Sequence, residues 1–167
     1  MFIRRIDERT LTVTKMSSRV DLEALVQAAG DAIIAAKPDG TIIMWNPAAQ
    51  RMFGFTTEEA VGHSLDLIIP ERFRERHWRG FQRVMSMGQT RYGSEVLRVP
   101  AVHKEGRSLS IAFTVALLLS EDGKVNAIAA IVRDETSRWQ EERALRRRVS
   151  ELEQQDQDRR GRINIDK

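Results

Sequence analysis

The stretch PERFRERHWRGFQ, residues 70–82, carries the residue best suited to chemistry in this chain, a lone histidine at position 77. Phe73, His77, Phe81 and Val84 recur at i, i+4, i+8 and i+11, one face of a helix. Arg72, Glu75, Arg76, Arg79 and Arg83 take the rest of it. An imidazole in an apolar stripe needs a partner for at least one ring nitrogen, because an unsatisfied buried polar group costs about 1–3 kcal/mol. Two kinds of partner fit. A backbone carbonyl makes His77 a satisfied core residue, whereas a ligand such as a metal uses the donor strength of neutral imidazole.

The other reactive side chains form no constellation. His63 follows Gly62 in a turn and reads as a cap or surface residue, and His103 beside HKEG reads as exposed. Neither has carboxylates at the spacing of a zinc or di-iron site. Trp45 and Trp78 could stack on a flat cofactor, but Trp45 ends a strand and Trp78 lies off the apolar stripe, so both read as packing residues. There is no Ser/His/Asp order, phosphate-cradling glycine loop or pair of catalytic carboxylates. The absence of cysteine removes disulfides, thiolate metal sites, cysteine nucleophiles and flavin photochemistry through a cysteinyl adduct.

These residues sit in a chain of 167 residues, 41% hydrophobic, enough for one domain with short appendages. With 27 Lys+Arg against 24 Asp+Glu the formal charge is +3, a balance that implies no nucleic-acid partner. The N-terminus has no run suited to a signal peptide, and no window approaches the ~20 apolar residues of a membrane span. A cytoplasmic location without membrane attachment is expected.

Residues 1–19 read as an N-terminal arm. Leu22, Leu25, Val26 and Ala29 follow a helical period that stops at Gly30. AIIAA and TIIMWN flank the turn KPDG as a strand pair. Asn46-Pro47 opens a short helix ended by Gly54, Thr56 or Thr57 caps a single turn ended by Gly62, and SLDLII is a third short piece. Pro70 and Glu71 start the longest helix of the domain, which runs to about Met87. RYGSEVLRV, RSLSIAFTVALLL and KVNAIAAIVRD follow as a three-stranded antiparallel meander. The order predicts an α+β fold, a five-stranded antiparallel sheet with helices on one face. After Asp134 the chain turns helix-forming and highly charged over 135–155, with Leu145, Val149 and Leu152 at d, a, d spacing. That segment reads either as a solvated helix of the domain or as a dimerising helix, and 156–167 reads as a flexible tail.

The run from Ala32 to Thr136 resembles a PAS sensor domain. The features that carry the resemblance are the hairpin with DGTI, the segment WNPAAQRMFGFTTEEAVGHSL, the KEGR turn before a long apolar strand, and a last strand ending in Val-Arg-Asp before a helix. The resemblance implies a PAS fold over 20–134 and a C-terminal signalling helix. It also implies a sensory rather than catalytic role, in which a ligand held between sheet and long helix alters the flanking helices.

Within that family the chain is most similar to haem-binding sensors of the FixL and DOS type. Their proximal histidine lies on the long helix a fixed distance after an IP or MP element, and Ile69-Pro70 here brings His77 onto that position and Gly106 onto the glycine of the later turn. The resemblance therefore implies haem b with His77 as the iron ligand, the apolar stripe pressing on the porphyrin. Leu109, Ile111, Phe113, Val115 and Leu117 share one face of a strand, and three alanines in NAIAAIV leave volume beside it.

On the distal side Glu95 falls where those sensors carry a ligating Met, and Leu97 where they carry an oxygen-binding Arg. A lining of Leu97, Phe113, Val115 and Ile128 offers bound dioxygen no donor and favours CO, NO or a redox role. A one-residue bulge would instead bring Arg98 to the pocket. Arg83 and Arg91 read as partners for the propionates or as ordinary surface arginines. The reading implies a diatomic gas ligand, a protein effector in trans such as a kinase, and a homodimer. Its first rival is a haem-free PAS domain that binds a small organic molecule or only dimerises. Its second is a haem enzyme, for which only Glu95 offers a distal acid or base.

Overall fold

The computed structural model describes residues 20–88 and 95–165. The expected arm at 1–19 lies outside them. Helix α1 (Leu22–Ala28) is capped by Asp21, whose side chain accepts from the Ala24 amide at 3.0 Å. Strands β1 (Ala32–Ala36) and β2 (Ile42–Trp45) pair antiparallel, as the turn chemistry between them predicts. Helix α2 (Pro47–Phe53) starts with Pro in its first turn and ends at Gly54, φ 80°. Helix α3 (Thr57–Ala60) opens with a reciprocal capping box between Thr56 and Glu59. A 3-10 turn (Leu65–Leu67) leads to α4 (Glu71–Met87), which Gly88 ends.

The meander follows as β3 (Leu97–Val102), β4 (Ser108–Leu119) and β5 (Val125–Asp134). The five strands lie in the order β2-β1-β5-β4-β3, all pairs antiparallel, so the first hairpin adds to the far side of the last strand. One face of this sheet carries Ala32, Ile34, Trp45, Leu109, Ile111 and Val132. They pack against Ala49 and Phe53 of α2, Ala60 of α3, and Ile68, which is the core of the domain.

Asn46 fixes the entry to that core. It is 1% exposed; its Oδ1 accepts from the Ile33 and Ala49 amides at 2.9 and 3.0 Å, and its Nδ2 donates to the Val26 and Asp31 carbonyls, both at 3.1 Å. The sequence marks Asn46 only as a helix cap. The structure makes it the joint of α1, β1 and α2.

His103 departs from its expected exposure. It is buried because its ring lies against Gly54, where a Cβ would stand 2.5 Å from the imidazole. Its Nδ1 accepts from the Glu105 amide at 3.1 Å, which satisfies it locally within the β3–β4 turn. His63 is exposed, as read.

Arg133 near the end of β5 grips Asp31 ahead of β1 with two hydrogen bonds, 3.1 and 2.6 Å. The guanidinium holds the Asp31 carboxyl below its usual range, a little offset by burial. A carboxyl depressed in the folded state stabilises above its unfolded pKa of about 3.9 and loses that contribution as pH falls through the folded value. Arg133→Ala should therefore unfold more easily than wild type at pH ~7 and converge with it as pH falls through the lowered Asp31 value of the folded protein, as urea midpoints measured from neutral to acid pH would reveal.

Helix α5 (Thr136–Ile165) starts where Asp134 Oδ1 accepts from the Thr136 amide at 2.8 Å. It continues past residue 155, where the sequence reading ends it, because 156–160 contain no Gly or Pro and keep the same charged, helix-forming composition. Leu145, Val149 and Leu152 are 68, 52 and 49% exposed, so none of the described residues covers this seam. No helix among the described residues is long and apolar enough to cross a membrane.

Candidate functional site

The cross-strand register decides which side chains share the inner face. Leu97 lies opposite Phe113, Val115 opposite Ala130 and Leu117 opposite Ile128, and Ala130 and Ile128 lie opposite Ile34 and Ala36. The period of two along each strand therefore puts Leu97, Phe113, Val115 and Ile128 on the side of the core. Ile34, Leu109 and Ile111 on this face are buried, whereas Leu97, Phe113, Val115, Leu117, Ile128 and Ala130 are only half-buried. The short helices cover one part of the sheet and leave the other partly open.

Two approaches bring helix α4 to the sheet. Near its middle Trp78 touches Gly40 in the β1–β2 turn, and at its end Gly88 approaches Val125 at the head of β5. Phe81 is buried, and Phe73, His77, Trp78 and Val84 are half-buried on the same side. The Arg72 guanidinium sits 4.7 Å from the centre of the Phe73 ring and covers its solvent edge.

His77 lies within an aromatic cluster, its ring centre 4.9 Å from Trp78 and 5.7 Å from Phe81. Its Nδ1 is buried with no hydrogen-bond partner. Burial pushes its pKa below the usual imidazole range, against an opposing pull from the Asp66 carboxylate, so the neutral form prevails at pH ~7. The backbone carbonyl that a satisfied core histidine would use is not within bonding reach. That orphaned nitrogen distinguishes His77 from His103, whose buried Nδ1 is paired.

The remaining expected residues fall as follows. Arg98 points to the outer face, where its Nε donates to Glu135 at 3.0 Å, and β3 pairs with β4 in regular register from Leu97 to Val102, with no bulge. The alternative that brings Arg98 into the pocket is thereby corrected: Leu97 takes the inward place. Glu95 is exposed ahead of β3. Arg83 is exposed, apart from the half-buried side of α4, and Arg91 lies outside the described residues. Of the three alanines in NAIAAIV, only Ala130 shares the inner face, and the small residues beside it are Ala32 and Ala36 of β1.

Trp78 is a packing residue, as read, but it lies on the half-buried side of α4 and not off it, its ring against Gly40, His77 and Phe81. Widening the stripe from one residue per turn to the adjacent positions 74, 78 and 85 gives a helix face of ordinary width, and that signal was present in the sequence. Trp45 is a packing residue as read, 3% exposed, its Nε1 donating to the Phe55 carbonyl at 3.0 Å.

A model of the PAS fold matches residues 21–134. The chain belongs to the PAS family. Among curated PAS relatives, it is 24% identical to the sensor protein FixL of Bradyrhizobium diazoefficiens over 91% of this chain and 30% of that protein. It is 28% identical to the oxygen sensor protein DosP of Escherichia coli over 56% of this chain and 11% of that protein. The chain thus spans less than a third of either relative. Among solved PAS-like structures, an RNA-binding light-oxygen-voltage receptor superposes with a TM-score of 0.63 at 18% identity, over 87% of this chain and 39% of that one. The PAS fold marks a sensory module.

Proposed function

We propose that this PAS domain binds haem b through His77 and reports a diatomic gas or redox state to a protein partner through α5. The observation that carries the reading is the buried, unpartnered Nδ1 of a neutral imidazole on the helix that borders the half-open sheet face. Among the described residues no group of three or more His, Asp or Glu side chains could hold a bare ion. A single imidazole suits a metal that brings its other ligands with it, and a porphyrin does so. The similarity to FixL and DosP and the Ile69-Pro70 spacing to His77 support the same choice.

When bound, haem supplies an iron that takes up a diatomic gas or changes oxidation state. His77 would hold it, Phe73, Phe81 and Val84 would exclude water on that side, and Leu97, Phe113, Val115 and Ile128 would line the other. This lining has no hydrogen-bond donor, so it favours CO or NO over a stable oxygen complex. Arg83 and Arg91 remain the candidates for the propionates.

The signal's way out follows from β3. Leu97 faces inward while its neighbour Arg98 grips Glu135, and Glu135 and Thr136 bond to Ser110 of β4 through the Glu135 amide at 2.8 Å and the Thr136 Oγ1 at 2.9 Å. A shift of Leu97 would thus reach the first turn of α5. The exposed Leu145, Val149 and Leu152 seam would carry it as a change in packing between two copies in a homodimer.

Flavin is the competing cofactor, since the light-oxygen-voltage fold is a structural neighbour, but without cysteine no thiol adduct can form. Titrating the purified protein with hemin, and separately with flavin mononucleotide, decides between them. The expected result is a saturable Soret band with hemin and unquenched flavin fluorescence. Saturable flavin quenching without a Soret band would transfer the site to the flavin, and binding of neither would leave the rival reading of a haem-free domain.

A further inference from the structure

The ring of His77 is held in place by a neighbour that is itself tied down from outside α4. Trp78 stands edge-on to His77, centres 4.9 Å apart at 77°, and edge-on to Phe81, 5.3 Å apart at 75°. The indole is locked at both ends. Its Nε1 donates to Asp66 Oδ1 at 2.8 Å, and its six-membered ring comes so close to Gly40 that a Cβ there would stand 2.1 Å from Cη2. Gly40 has φ +85°, so both its conformation and the approach of Trp78 call for glycine.

Asp66 ties the same turn of α4 a second time. Arg74 donates through a terminal guanidinium nitrogen to the Asp66 carbonyl at 3.1 Å and through Nε to the Ile69 carbonyl at 3.2 Å, with Nε 3.7 Å from Asp66 Oδ1. Residues 74 and 78 are one turn apart and flank His77. Asp66 therefore holds α4 on both sides of the imidazole and restricts its roll about its own axis. A helix free to roll by even half a residue step, about 50°, would re-aim the imidazole of residue 77 by the same angle.

We infer that Asp66 is a positioning residue for the His77 site: through the Trp78 indole and Arg74 it sets the roll of α4 and thereby aims the imidazole at its ligand. The inference rests on the haem reading for its ligand and on the geometry alone for its effect on His77. Ligand-orienting outer contacts typically contribute about 10–100-fold to affinity, and Asp66 acts at that level without touching His77.

Three variants test it in two states of the protein. Asp66→Ala removes the acceptor, Trp78→Phe keeps an aromatic side chain but removes the donor and the outer indole ring, and Asp66→Asn keeps an oxygen acceptor while removing the charge. In the haem-free protein, the His77 ring-proton resonances should move in Asp66→Ala and Trp78→Phe and return to near the wild-type positions in Asp66→Asn. In the hemin-loaded protein, the same pair should release haem to a scavenger about 10-fold or more faster, with Asp66→Asn close to wild type. Unchanged His77 resonances in Asp66→Ala and Trp78→Phe would overturn the positioning role. So would an Asp66→Asn protein that behaves like Asp66→Ala, since a charge effect rather than the hydrogen bond would then be at work. Wild-type protein that takes no hemin would refute the haem reading instead, and the resonances of the haem-free protein would still decide the role of Asp66.

Discussion

Replacing His77 by leucine should raise the thermal midpoint of the haem-free protein while removing its capacity for haem. The two halves of this result have one cause. Nδ1 is buried and unpaired, so an apolar side chain of similar size relieves a desolvation cost of about 1–3 kcal/mol in the empty domain. The same change removes the one imidazole on the inner side of α4, and because loss of a mere outer partner weakens metal sites by about 10–100-fold, loss of the ligand itself should cost about 100-fold or more. A histidine satisfied by a core carbonyl would give the opposite sign in the haem-free protein, because leucine would strand that carbonyl. Calorimetry of the two haem-free proteins therefore separates a histidine kept for a ligand from one kept for the core.

Asn46→Ala should be the most damaging single change to the fold outside the apolar core. The side chain makes four hydrogen bonds to backbone groups of α1, the α1–β1 link, β1 and α2, and alanine leaves those groups without these partners in a site 1% exposed. The cap alone contributes about 1 kcal/mol and each stranded buried group costs more, so a loss of about 3 kcal/mol or more is expected, with a fall in melting temperature on the order of 10 °C. Urea denaturation measures it directly. A loss within about 1 kcal/mol would mean that α1 and the β1–α2 corner are held by something other than Asn46.

Most of the architecture was legible from local rules because this chain follows them. Asn-Pro opens α2, Thr56 and Glu59 form the box that starts α3, Pro70 and Gly88 bound α4, and the turns KPDG, HKEG and SEDG separate the strands. The side of α4 that carries His77 was legible for the same reason: a helical period survives without any knowledge of what packs on it. What local rules could not give was pairing between distant segments. The sequence cannot tell that the ring of His103 lies on Gly54, nor that Trp78 crosses to Gly40, because each contact joins positions tens of residues apart. The fate of Arg98 was undecidable for a sharper reason. Residues 97 and 98 alternate across the strand, so one residue of register exchanges Leu for Arg in the pocket, and only the pairing of Leu97 with Phe113 settles it.

The site follows the same division. The inner lining of β4 was readable from its alternation, whereas the small residues beside it were sought in β5 and lie partly in β1, since Ala36 pairs with Ile128 and Ala32 with Val132. Helix α5 runs beyond residue 155 because a charged sequence with no Gly or Pro before Gly161 gives the helix no reason to stop there and gives a core no reason to form.

The absorption spectrum of the protein purified after expression with ample haem shows most directly whether His77 meets iron. The expected spectrum has a Soret band that shifts on reduction and again on addition of CO, and that is absent from His77→Leu. A colourless wild-type protein that still folds and takes up no added hemin would contradict the haem reading.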